Sequence, residues 1–212
     1  MIKVEKFVVN PLQENSFVLS DETGECFFVD PGFYYDEEYV EVEAYISDNN
    51  LVPKHISNTH CHFDHIMGVE RLRKTYNIPF RAHSEDDFWV TKAVEQGDMF
   101  SIKVQPVSPI DSYLTENEKV KFGNSELQVI HIPGHSRGHV VFYSEKNKLL
   151  IAGDVLFYGS IGRTDLPGGD YNTLITAIKQ KLFLLPDDTK VYCGHGPETT
   201  IGFEKNNNPF LT

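Results

Sequence analysis

Short runs of β-branched and aromatic residues open the chain and predict its first strands. Lys3 to Val9, Ser16 to Ser20 and Glu25 to Val29 read as an antiparallel hairpin region, with Asp21-Glu22-Thr23-Gly24 as the turn between the last two. The pattern then changes period. From Asp36 to Asn49 the apolar positions Tyr39, Val40, Val42, Tyr45 and Ile46 recur at helical spacing, and Asn49-Asn50 ends the segment. A strand from Lys54 to Thr59 follows, then a helix carrying Ile66, Val69, Leu72 and Tyr76 as far as Asn77, a short strand at Phe80 to Ala82, and a helix from Glu85 to about Val94. The second half repeats the scheme, with strands near Lys119 to Phe122, Leu127 to Ile132, Val140 to Ser144 and Leu149 to Ala152. A helix from Tyr171 to Leu185 puts Leu174, Ile175, Ile178 and Leu182 on one face, with Asp170 as its N-cap, and a last strand spans Lys190 to Cys193. Two β-rich halves, each with helices on one face, predict an α/β fold built as a four-layer αββα sandwich.

Composition sets limits on this picture. At 212 residues and 40% hydrophobic content, with no linker-like stretch and no repeat, the chain is expected to form one domain over residues 1–212. Nineteen basic against thirty-one acidic side chains give a formal charge of −12, which disfavours nucleic acid and anionic membranes as partners. Met1 to Lys6 carries charges where a signal peptide needs its apolar core, and no stretch approaches the roughly 18 apolar residues of a membrane span. Three unpaired-looking cysteines, Cys26, Cys61 and Cys193, agree with a reducing compartment, so a cytoplasmic location is expected. Oligomeric state is left open by the sequence.

The chemistry is concentrated in Thr59-His60-Cys61-His62-Phe63-Asp64-His65, three imidazoles and a carboxylate within six residues. Imidazole and carboxylate are the usual ligands of Zn²⁺ and similar ions. In an extended segment His60 and His62 point the same way and share one ion, while Cys61 faces away. Asp64 and His65 lie near the strand-to-helix turn and reach a second position. A His-rich surface tract or a tag gives similar composition, but a tag is terminal, and this segment is internal and framed by regular structure. Further candidates follow apolar runs and sit beside glycine: His135 in Pro133-Gly134-His135-Ser136, Asp154 in Ala152-Gly153-Asp154, and His195 in Cys193-Gly194-His195-Gly196. Singly, each has the alternative of being a turn or cap residue.

In order along the chain, THCHFDH, PGHS, AGD and CGHG resemble the motifs of the metallo-β-lactamase superfamily over nearly the whole sequence. The resemblance implies that His60, His62 and His135 hold one metal, that Asp64, His65 and His195 hold a second, and that Asp154 bridges them. Zn²⁺ is the expected ion, with Fe²⁺ and Mn²⁺ accepted by the same ligands. The segments Gly159 to Asp170 and Gly194 to Gly202, with Asn208-Pro209-Phe210-Leu211, are similar to the shorter bacterial members of the glyoxalase II group. That likeness implies hydrolysis of S-2-hydroxyacyl thioesters, small-molecule acyl-thiol substrates, by a metal-bridging hydroxide. A thioester suits such a site because a thiolate, of pKa near 8.5, leaves with little help from an acid. Longer members carry a C-terminal helical extension with basic residues for glutathione; this sequence runs only to Thr212, so weakened glutathione recognition is expected.

Supporting roles complete the reading. Asp64 and Asp154 are expected to serve the chemistry as ligands. Asp30, at a strand end, is expected to orient a ligating imidazole, with a turn carboxylate as the alternative. Arg163 either docks a substrate anion or pairs with Asp165 or Asp170, and Tyr158 either contacts the ligand or packs. Cys61, Cys193, His55, His83, His131 and His139 are read as structural or surface residues. The rival functions are a mononuclear iron persulfide dioxygenase of the same superfamily and a non-catalytic metal-binding module; metal content, oxygen uptake and turnover separate them.

Overall fold

Apolar side chains alternate along the long strands, and their two faces bury into different cores. Phe17, Leu19, Phe27 and Val29 point into one cluster together with Val120, Phe122, Leu127, Val129, Val140, Phe142 and Ile151. Their neighbours Val18, Cys26 and Phe28 point the opposite way, as do Ile130, Val141, Leu150 and Ala152. Because side chains in a strand repeat every second residue, this pattern requires two sheets packed face to face with a further layer outside each.

A computed structural model describes all 212 residues. The first half contains β1 (Lys3–Val9), β2 (Glu14–Ser20), β3 (Glu25–Val29), α1 (Asp36–Asp48), β4 (Val52–Ser57), α2 (Phe63–Ile66), α3 (Val69–Tyr76), β5 (Phe80–Ala82), α4 (Asp87–Thr91), α5 (Ala93–Met99) and β6 (Ser112–Tyr113). The second half contains β7 (Lys119–Phe122), β8 (Ser125–His131), β9 (Val140–Ser144), β10 (Leu149–Gly153), β11 (Leu156–Phe157), β12 (Ser160–Ile161), α6 (Tyr171–Lys181), β13 (Lys190–Cys193), β14 (Thr199–Thr200) and α7 (Ile201–Asn207). One six-stranded sheet has the order β1-β2-β3-β4-β5-β6 and the other β14-β13-β10-β9-β8-β7; β11 and β12 form a separate ribbon. Tyr39, Val42, Ile46, Val69 and Leu72 of α1 and α3 cover the outer face of the first sheet, and Leu174, Ile178 and Ile201 of α6 and α7 cover that of the second. The expected αββα sandwich is therefore present. No helix is long and apolar enough to cross a membrane.

Three expected helices are modified. The helix expected through Ile66 is interrupted because Gly68 N–H bonds Pro31 O at 2.7 Å, and α3 starts afresh beyond it. The helix expected from Glu85 to Val94 is a 3₁₀ turn at Ser84–Asp86 followed by α4 and α5, broken at Lys92; the Trp89 carbonyl accepts both Lys92 N–H at 3.2 Å and Gln96 Nε2 at 3.1 Å. The helix from Tyr171 ends at Lys181 and tightens into a 3₁₀ turn at Leu182–Leu184 ahead of Pro186. Asp170 caps it by accepting Thr173 N–H at 2.7 Å.

The sheets matter for function through their shared edge. β3 and β4 run parallel, and β8, β10 and β13 run parallel to one another across the second sheet. The loops after these strands therefore emerge together. Val140 N–H donates to Thr59 O at 2.8 Å and Asn15 N–H to Gly194 O at 2.7 Å, joining segments of the two halves where the loops meet.

Candidate metal centre

The first ligand loop leaves β4 and is pinned by Asn58, whose Nδ2 donates to His60 O at 3.2 Å and His65 O at 2.8 Å. Its extended backbone turns His60 and His62 toward the same point, while Cys61 sinks into the apolar core. His62 Nδ1 and His60 Nε2 lie 2.9 and 3.2 Å from His135 Nε2, which arrives on the loop after β8. Asp64 and His65 occupy the first helical turn of α2. His65 Nε2 and His195 Nε2 stand 3.8 and 3.3 Å from Asp64 Oδ2.

Asp154 lies between the two groups. The ladder between β10 and β13 slips at Ile151/Gly153, and Gly153 takes φ +49°, so the strand end is re-aimed toward the loops. Asp154 Oδ1 is 3.5 Å from His65 Nε2, and Oδ2 is 3.6 Å from His135 Nε2 and 3.7 Å from His195 Nε2. Gly194 permits this: a Cβ there would stand 2.2 Å from Asp154 Oδ1.

In His60, His65, His135 and His195 the ring nitrogen that faces away from the centre is tied down, which fixes the tautomer. His135 Nδ1 donates to Arg163 O at 2.8 Å and His195 Nδ1 to Leu12 O at 3.2 Å. Asp30 orients two rings. Its Oδ2 accepts from His65 Nδ1 at 3.2 Å and from Thr59 Oγ1 at 2.6 Å, and the Thr59 oxygen in turn accepts from His60 Nδ1 at 3.1 Å. Asp30 Oδ1 takes Thr59 N–H at 2.6 Å. Asp30 is thus a hydrogen-bonding support, and its convergence with His60 and His65 has no need of an ion. His62 differs: its Nε2 is buried without a partner, and the ring packs on Trp89 at 4.6 Å.

Asp86 is absent from the sequence-derived set and is central to the geometry. Fully buried, it accepts from Cys61 N–H at 2.9 Å, Ser136 Oγ at 2.9 Å and Gly138 N–H at 2.8 Å. One carboxylate therefore clamps the loop of His60 and His62 to the loop of His135. The available signal was its position just after the strand Phe80–Ala82, the same strand-end placement that marked Asp30; the acidic tract around it reads instead as a helix start. His139 Nε2 accepts Asp154 N–H at 3.1 Å and its ring stacks on His60, a supporting role consistent with its sequence reading. His83 and His131 stack on each other, and His55 packs on Phe27.

Electrostatics separates the two groups. Burial, reinforced by the neighbouring imidazoles, pushes His60 and His62 well below the ordinary histidine value, and burial also lowers His135. For His65 burial works the same way, but the Asp154 and Asp64 carboxylates outweigh it and hold the ring well above that value. Burial opposes ionisation of Asp64 and Asp154, yet the His65 charge prevails and lowers both. Burial raises Asp86 to about 6 against its three hydrogen bonds.

The donor set fits divalent cations. His62 Nδ1 and His60 Nε2 both lie within 3.2 Å of His135 Nε2, so the three nitrogens cannot all carry protons, and His65 Nε2 and Asp154 Oδ1 are buried without hydrogen-bond partners. The two convergent groups, His60/His62/His135 and Asp64/His65/His195, each bring three donor atoms within 4.8 Å of one another. They face a cleft of about 340 Å³ whose other walls are Leu12, Phe63, Phe100, Phe157, Leu166, Gln96 and Arg163.

The two expected substrate contacts fare differently. Arg163 lines the cleft, but its Nε and Nη2 hold both oxygens of Asp165 at 2.8 and 2.7 Å, the pairing alternative of the sequence reading. Tyr158 does not line the cleft. Its ring stacks on Phe203 of α7 at 4.7 Å, because Glu204 takes Gly159 N–H and draws that turn onto the helix.

Comparison with known proteins agrees with this geometry. The sequence profile of the Metallo-beta-lactamase superfamily matches residues 9–195. Hydroxyacylglutathione hydrolase GloC of Haemophilus influenzae is 34% identical over 212 residues, covering 99% of this chain and 98% of that one. The crystal structure of BLEG-1 B3 metallo-beta-lactamase superposes with a TM-score of 0.89 at 39% identity, covering 100% of both chains. That of TTHA1623 in a di-iron-bound form gives 0.88 at 36% identity, covering 98% of this chain and 100% of that one.

Proposed function

Because the chain belongs to the metallo-β-lactamase superfamily, we propose that it is a dinuclear metal-dependent hydrolase of thioesters of the S-2-hydroxyacyl type. The observation that carries the proposal is the pair of three-donor groups flanking one carboxylate, Asp154, at the floor of a cleft with apolar walls. The likeness to GloC over almost the full length of both chains supports the thioester, and the di-iron form of TTHA1623 supports two ions rather than the one of a persulfide dioxygenase.

His60, His62 and His135 would hold one ion, Asp64, His65 and His195 the other, with Asp154 shared. Ions bound there supply an acidified water and polarise an acyl carbonyl, whichever of Zn²⁺, Fe²⁺ or Mn²⁺ is native. The protein's own part is to fix imidazole lone pairs through Asp30, Thr59, Leu12 O and Arg163 O, and to exclude bulk water with Phe63, Phe100 and Phe157. The thiolate leaves without a dedicated acid, and among the cleft residues Gln96 and Arg163 are the only polar ones outside the ligand groups.

A second reading, β-lactam hydrolysis, is favoured by the 39% identity to a B3 metallo-beta-lactamase. Metal-loaded protein assayed on S-lactoylglutathione, a short aliphatic thioester and a penicillin separates the two. Thioester turnover exceeding penicillin turnover is expected; penicillin as the better substrate would overturn the proposal, and no hydrolysis by protein carrying two metals would favour the non-catalytic module.

A further inference from the structure

Next to the metal cleft, and separated from it by the packed rings of His62 and Trp89, lies a second cleft of about 280 Å³ lined by Glu85, Phe88, Trp89, Arg137, Pro167 and Gly168. The two share a wall, since Leu166 lines the first and Pro167 the second. Arg137 is the unusual member. Of the five arginines, Arg71, Arg73, Arg81 and Arg163 are in ion pairs, as befits a chain with thirty-one acids to nineteen bases, but Arg137 pairs with none. Its stem lies on Gly168, where a Cβ would stand 3.1 Å from the Arg137 Cγ; the positive φ of +89° there also favours glycine. Glu85 lines the same cleft, is exposed, and makes no ion pair with Arg137 or any other cation. Phe88, half exposed, and Trp89 supply apolar faces between these charges.

One free cation, one free anion and two aromatic rings within one cleft complement a zwitterion. The metal cleft offers no such grip, because Asp165 already neutralises Arg163. Resting on the thioester reading, we propose that the cleft of Arg137 and Glu85 holds the zwitterionic, amino-acid-type end of the thiol carrier: its carboxylate on the Arg137 guanidinium and its ammonium on the Glu85 carboxylate. The reacting carbonyl then lies on the far side of the His62 ring.

Trp89 is the only tryptophan, so its fluorescence reports occupancy without any turnover. Metal-loaded protein is titrated with S-methylglutathione, its N-acetyl derivative and its diethyl ester. The zwitterion should bind about tenfold more tightly than either blocked form, the scale of one charge-assisted hydrogen bond. Arg137→Gln should erase the preference over the ester, and Glu85→Gln the preference over the N-acetyl form. Equal binding of all three ligands by the wild-type protein, or an ester preference erased by Arg163→Gln instead, overturns the assignment. Free L-glutamate binding as tightly as S-methylglutathione would mark an amino-acid site unconnected with the thioester and also overturn it. Absence of thioesterase activity alongside an intact, Arg137-dependent titration would sink the thioester reading alone.

Discussion

The two ligand groups lie side by side and differ in charge, exposure and support. His60, His62 and His135 are all imidazole, nearly fully buried, and locked together through Asp86. Asp64, His65 and His195 include a carboxylate, and one member, His195, reaches solvent with its side chain 28% exposed. Burial lowers the titration of the imidazoles in the first group, which favours their neutral, cation-binding form. In the second group the carboxylates raise the titration of His65, so a cation there would compete with a proton. Two sites built from similar residues thus carry different preconditions for loading.

The largest effect is expected where the groups join. Asp154→Ala removes the one carboxylate that faces both, so both ions should be lost together, and hydrolysis should fall by about 10³-fold or more. Elemental analysis of the purified variant checks this; a retained full equivalent would show that one group binds without the shared ligand. His195→Ala should act on one side only, bringing metal content close to one per chain, because His195 contacts Asp64 and Asp154 and none of the all-imidazole group. Loss of both ions would mean that the second site supports the first.

A more selective test uses the supports. Asp86→Asn replaces one acceptor oxygen of a carboxylate that takes three donors, so at least one donor from the ligand loops loses its partner. The all-imidazole site should lose about 10–100-fold in affinity, measured by competition with a chromophoric chelator, while the second changes little. Asp30→Asn should weaken both, since Asp30 orients His65 directly and His60 through Thr59. An Asp86 variant that loses the second ion first would reverse the comparison.

How much of this could be read from sequence depends on range. The strands and the convergence of His60, His62 and His65 were legible because β-periodicity and the THCHFDH spacing are local signals. The layering also followed, since two β-rich halves flanked by helices leave few packings. Asp86 was hidden because its meaning lies in three donors that are 25 to 52 residues away. Which of its two alternatives Tyr158 takes was hidden for the same reason: the helix it packs on, Ile201–Asn207, is too short and polar to announce itself. The break after Ile66 likewise goes with a tertiary hydrogen bond, Gly68 N–H to Pro31 O, and not with propensity.

The smallest expected effect is in pH, and it tests the charge difference most directly. His65 titrates above the usual imidazole value of about 6.5, so in chelator-stripped protein its stabilising contribution is complete below that pH and disappears as pH rises through its folded value. His60, His62 and His135 titrate below it, so their contribution is present above about 6.5 and disappears as pH falls through their lowered values. Asp64 and Asp154 are lowered, and their share persists until pH falls through values below about 3.9. For metal loading the signs run together. As pH falls from 8 toward 5.5, a proton competes for His65 well before protons compete for the all-imidazole group, and each competing proton lowers affinity by up to about tenfold per pH unit. The second ion should therefore leave first, with His195→Ala protein, which keeps only the first site, marking which release step is which. Simultaneous release, or retention of the second ion after the first has gone, would show that the shared Asp154 couples the sites more strongly than their own charges divide them.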